Sequence, residues 1–231
     1  WNAYDSVYVT GDITIGNGAS LTIAPNTTGS NAGNDDGVFI IFRGSYDITV
    51  TGTGVFNANG TSSDTIFFTA DRDKDHVFGE SGETRGHISF ESMDSEAGSS
   101  SLEYCKIQYA DIDGNSTNNP DRFGGGIHLD FSDVTISNCE ISNNQAGWGG
   151  GIFVNSGENP LISNCVFKNN TSTVVGGGLY LWDGTSSTIS NCIIGNNTAQ
   201  NAAGGGGIWI GKEANDVTVI NSVLANNNAP S

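Results

Sequence analysis

The chain has 231 residues, with 25 Asp+Glu against 8 Lys+Arg and a net charge of −17. So acidic a surface repels phosphate backbones and anionic headgroups, which argues against nucleic acid as a partner and against direct membrane insertion. There is no uninterrupted apolar run of about 20 residues to cross a bilayer, and the length suits one long domain with a continuous core.

The first predicted elements are short alternating strands: Val7-Tyr8-Val9, Ile13-Thr14-Ile15, Leu21-Thr22-Ile23, Ile48-Thr49-Val50 and Ile66-Phe67-Phe68. Gly, Asn and Asp turns separate them, so residues 1–85 read as irregular opening coils. Asn31 to Gly37 reads as a turn. In the segment 71–75, Asp71, Asp73 and Asp75 alternate with Arg72 and Lys74. Alternate side-chain oxygens on a turning backbone suit a hard cation, so calcium is one reading and a solvated acidic turn the plainer one.

Regular coils occupy 86–231. Gly86-His87-Ile88-Ser89-Phe90 and Cys105-Lys106-Ile107-Gln108-Tyr109 open them, and an insertion at 111–123 follows, bearing a second set of calcium candidates, Asp111, Asp113 and Asn115. Neither acidic loop has the twelve-residue spacing with a terminal Glu, so no cofactor is certain. Four copies of one pattern then follow, each a Gly triplet, an alternating strand, an Asn before Cys or Ser, and a paired Asn. Measured at Cys139, Cys165, Cys192 and Ser222 the period is 26, 27 and 30 residues. A β-rich, Gly-rich period of that length predicts an all-β solenoid, a right-handed parallel β-helix.

Stacked coils turn recurring residues into columns. Asn138, Asn164, Asn191 and Asn221 are expected to form an internal amide ladder, with the paired Asn doing likewise at another corner. Cys105, Cys139, Cys165 and Cys192 fall in one column, which spreads donors along a line and suits buried free thiols better than a metal centre or disulfides.

If Ile127, Ile152, Leu179 and Ile208 face inward, then His128, Phe153, Tyr180 and Trp209 face outward as an exposed aromatic column. Asp130, Asn155 and Trp182 stand in the adjacent outward column. Rings flanked by carboxylates and amides suit sugars, and the bland alternative is that they pack on one another or under a partner.

The Gly-Gly-Gly-Ile/Leu element with Phe167-Lys168-Asn169-Asn170 resembles the paired motifs of polymorphic outer-membrane-protein adhesins. The stretch from Asn59-Gly60-Thr61 through Phe67-Phe68-Thr69-Ala70 to Ser101-Leu102-Glu103-Tyr104-Cys105 resembles β-helix regions of bacterial surface proteins exported with a C-terminal sorting domain. Those resemblances imply an extracellular or bacterial cell-surface location, further domains in the same chain, and an adhesin or spacer role. The lack of an initiating Met or signal peptide agrees with an excised portion of something longer.

β-Helices also resemble pectate and alginate lyases, which makes a polysaccharide lyase or glycoside hydrolase one alternative. Arg122, His128 and Asp130 with Glu91 are its candidate groups, but a basic inventory this thin and an acidic face lead us to expect no catalysis. A third reading is a stalk or filament subunit. The expected partner is accordingly a polysaccharide or a cell-surface protein, and the expected site is His128, Asp130, Phe153, Asn155, Tyr180, Trp182 and Trp209.

Overall fold

The computed structural model describes residues 6–25, 37–71, 77–78, 83–93, 99–112, 122–155, 159–182, 186–201, 204–212, 214 and 216–230. Among these, short strands form four sheets of eight, seven, seven and three strands, and every pairing is parallel. The first sheet runs from Ser6–Val9 to Val223–Ala225, the second from Ile13–Ile15 to Ile208–Ile210, and the third from Ser20–Ile23 to Thr218–Ile220. The fourth is short: Gln145–Trp148, Thr171–Val175 and Thr198–Ala199. Each regular coil visits the second, third, first and fourth sheets in turn, then steps up to the coil above. The chain is a parallel β-helix.

Register fixes what faces inward. Ile127 pairs with Ile88 on one side and Ile152 on the other, and Leu179 and Ile208 continue the column. Thus Gly86 to Phe90 belongs to the column of later Gly-led strands, as its sequence suggests. Ile127, Leu129, Ile136 and Ile141 lie in one core with Phe56, Phe68, Phe90 and Phe167, all fully buried. Two opening strands were not evident from the sequence, Val38–Phe42 and Val55–Asn59. Three successive buried residues in the first, Ile40, Ile41 and Phe42, break the alternation that marks a half-buried strand.

The corners explain the recurring Gly and Asn. Gly149 and Gly176 open their triplets at φ of 65° and 69°, where a β-carbon is unfavourable. Gly150 is pressed against the next coil, and a β-carbon there would meet the carbonyls of Thr171 and Gly177.

The internal amide ladder lies at Asn144, Asn170, Asn197 and Asn227. Asn144 Nδ2 donates to Asn170 Oδ1 at 3.0 Å, Asn170 Nδ2 to Asn197 Oδ1 at 3.0 Å, and Asn197 Nδ2 to Asn227 Oδ1 at 3.0 Å. Each amide also serves the backbone, as when Asn170 Nδ2 donates to the Ile141 carbonyl at 2.9 Å. The other Asn column does a different job from the ladder expected of it. Asn138, Asn164 and Asn191 sit at φ 55° and Asn221 at φ 51°, turning the corner before the Cys strand with side chains half-buried to exposed. Asn tolerates this left-handed conformation better than other non-Gly residues.

Cys105, Cys139, Cys165 and Cys192 are free and buried in the column. Their thiols approach carbonyls of their own and neighbouring coils, as Cys139 Sγ does Ser137 O at 3.1 Å. Burial pushes the Cys139 thiol well up, and the contact with Cys139 pushes the Cys165 thiol up. These are inert fillers rather than nucleophiles.

Candidate functional site

Outside the coil, the second and fourth sheets meet at the Gly corner with their outer faces turned toward each other. His128, Phe153, Tyr180 and Trp209 are register partners on successive strands, so the outward column exists as the alternation predicts. Its exposure does not. His128, Phe153 and Tyr180 are only 7%, 3% and 3% accessible, and Trp209 is half-buried.

What covers them comes from across the corner. Phe123, Trp148 and Val175 each stand immediately before the first Gly of a triplet and pair in register with one another. Phe123 lies 4.6 Å from the Phe153 ring centre and 5.0 Å from Trp148. Phe153, Tyr180 and Val175 make a second apolar cluster, separate from the main core. Edge-to-face contacts join Phe153 to Tyr180 at 5.0 Å and Tyr180 to Trp209 at 4.7 Å, the geometry that ring quadrupoles favour.

The two walls leave a cleft of about 400 Å³. Asp130, Asn155 and Trp182 line it together with His128 and the rings. Asn155 Nδ2 donates to Asp130 Oδ1 at 2.7 Å, fixing the carboxylate and leaving polar atoms beside an aromatic wall. Trp182 is 43% exposed and stacks on Trp209 at 6.2 Å. Six of the seven side chains expected from the sequence line the cleft, Trp209 packs against two of them, Tyr180 and Trp182, and Phe123 and Trp148 complete the walls. The signal for those two was their fixed place one residue before the Gly triplet.

At the other end of the cleft the chemistry becomes polar. His87 precedes Ile88, and its Nδ1 faces the carbonyls of Phe123 and Gly124 at 3.2 and 3.3 Å. A carbonyl only accepts, so Nδ1 of His87 carries a proton and Nε2 is the ring nitrogen turned away from the backbone. Ser89 Oγ donates to Glu91 Oε1 at 2.7 Å and meets His128 Nδ1 at 3.3 Å. With its own proton given to Glu91, Ser89 Oγ accepts from His128 Nδ1, so in the neutral ring of His128 the unprotonated nitrogen is Nε2. Burial first, and His87 second, pull the His128 pKa down to about 3, so its imidazole is neutral at physiological pH. Burial likewise pushes the Tyr180 phenol up.

The remaining candidates lie apart from the cleft or outside the described residues. Arg122 sits over the Trp148 ring at 5.2 Å and donates to Thr173 Oγ1 at 3.3 Å. Asp71 is buried and paired with Arg43 at 3.1 Å, while Asp73 and Asp75 lie outside the described residues. Asp111 accepts from Gln145 Nε2 at 3.5 Å, and Asp113 and Asn115 lie outside the described residues.

A family model described as a right-handed beta helix region matches residues 93–230, more than half of the chain. No curated protein and no solved structure matches the chain.

Proposed function

The chain belongs to the right-handed β-helix family, and from that premise we propose that it is a non-catalytic, extracellular or cell-surface segment that binds saccharide in its lateral cleft. The observation that carries this reading is the exposed Trp182 at the mouth of an aromatic-walled cleft holding the paired Asp130 and Asn155. A pyranose has apolar faces and hydroxylated edges. Trp182 offers a flat ring to the first, while the carboxylate and amide accept from and donate to the second. An acidic, Asn-, Ser- and Thr-rich surface supports a secreted setting and an adhesin or spacer role. Further domains of the same chain, and calcium in the acidic loops around Asp71 and Asp111, belong to the same proposal.

Titration with a panel of neutral and acidic oligosaccharides, followed by tryptophan fluorescence and calorimetry, tests it. Binding by the parent chain should weaken at least about tenfold in Trp182→Ala and in Asp130→Asn, the loss expected of one ring or one charged hydrogen-bonding partner. Binding that is indifferent to both changes, or no binding across the panel, would overturn the cleft assignment. Appearance of unsaturated product would overturn the non-catalytic one.

A further inference from the structure

The polar end of the cleft carries a feature that the saccharide reading does not need. One ligand atom each from His87, Glu91 and His128 lie within 4.8 Å of one another. Both imidazoles are buried and Glu91 is half-buried, so the three groups are held by the fold rather than swept through solvent. Their supports are of the kind that orient metal ligands. His87 donates its Nδ1 proton to backbone carbonyls, and Ser89 links His128 to Glu91.

A second, independent observation points to a cation. Glu91 and Asp130 are register partners on adjacent parallel strands, which sets two carboxylates side by side one coil apart. Like charges directly opposite across a sheet are destabilising. Among the described residues neither carboxylate forms an ion pair.

We propose that His87, Glu91 and His128 form a binding site for a first-row divalent transition metal, with Zn²⁺ the first candidate. Two nitrogens and one oxygen are too few and too soft for calcium, which takes six to eight oxygens. They match the three-ligand sets that hold zinc and related ions and leave a position open. Because His128 also lines the cleft, the open position borders it, and Asp130 supplies neighbouring negative charge. The site stands or falls without reference to saccharide binding.

The full chain, stripped with chelator and dialysed, is titrated with Zn²⁺ by calorimetry and with Co²⁺ by visible absorption. One ion per chain is expected, with a cobalt spectrum of low coordination number. Glu91→Gln keeps the side-chain shape and should bind at least about 100-fold more weakly, since loss of a direct ligand exceeds the loss from an outer-shell partner. Trp182→Ala should bind the metal as the parent does, and this separates failure of the metal site from failure of the sugar site. The parent chain alone gives a second readout, because it has three histidines, His76, His87 and His128. On adding Zn²⁺ the imidazole NMR signals of His87 and His128 should shift together. No stoichiometric binding, affinity unchanged in Glu91→Gln, or shifts confined to His76 would each overturn the proposal.

Discussion

The inside of the coil and its outer cleft are built from the same strands but follow different rules. At the inward positions of the second sheet the stack reads Ile88, Ile127, Ile152, Leu179, Ile208, nearly one residue type repeated. One position along, facing out, it reads Ser89, His128, Phe153, Tyr180, Trp209. Inside, each residue must fit the one above and below, so similar volumes recur at close-packed density. Outside, the stack grades from polar to aromatic along the axis, and gradation is what a surface with distinct ends needs. Repetition marks the scaffold. Departure from repetition within the same register marks the place to look for function.

The sharpest way to break this comparison is to cut into the interior. Phe167 is fully buried in the first sheet and its carbonyl accepts from Asn197 in the ladder beneath the paired Asn corner. Phe167→Ala should cost roughly 3–5 kcal/mol, the range for a large core side chain replaced by a cavity. Denaturant melts followed by circular dichroism measure it. A loss below about 1 kcal/mol would mean that the coils tolerate voids and that the interior is not the rigid half of the molecule.

Acid should find the cleft instead. His128 titrates near pH 6.5 when unfolded and at about 3 when folded, so between those values the unfolded chain binds the extra proton. The contribution of neutral His128 is complete above about pH 6.5 and is lost as pH falls toward 3. His87, Glu91 and Asp130 face or neighbour it, and their own protonation must be separated from it. In chelator, the parent chain should lose about 2–3 kcal/mol by about pH 4.5 relative to His128→Gln, which has no imidazole to protonate. Parallel pH profiles for the two chains would show that His128 is reached by water.

What was legible in the sequence divides along the same line. The period, the inward Ile/Leu column and the Cys column follow from residues that recur at fixed spacing, and parallel stacking converts spacing directly into position. Two Asn columns recur equally well, and nothing in the spacing tells which turns inward. That depends on the corner, where Asn143 and Asn169 take the left-handed φ and so deliver Asn144 and Asn170 to the interior. The outward direction of Phe153 and Tyr180 was legible from alternation, but their cover was not. Phe123, Trp148 and Val175 reach them only because the chain bends sharply at Gly124, Gly149 and Gly176, and a bend angle is not written in a period. His87 and Glu91 were visible as residues, yet their meeting with His128 depends on side chains standing on neighbouring coils.

The smallest expected effect completes the contrast. Trp182 belongs to the outward stack beside Asp130 and Asn155 and keeps 43% of its surface accessible. Its ring contacts Tyr180 at 5.5 Å and Trp209 at 6.2 Å, both already held by other neighbours. Trp182→Ala should therefore cost about 1 kcal/mol, the worth of aromatic contacts at a half-open site. The same denaturant melts read it, with an unchanged slope showing that the folded state is as compact as before. A cost near that of Phe167→Ala would make Trp182 part of a core that happens to lie outside the coil. A small cost leaves a large indole held at a cleft mouth that the fold does not require, and that is the signature of a residue kept for contact with something else.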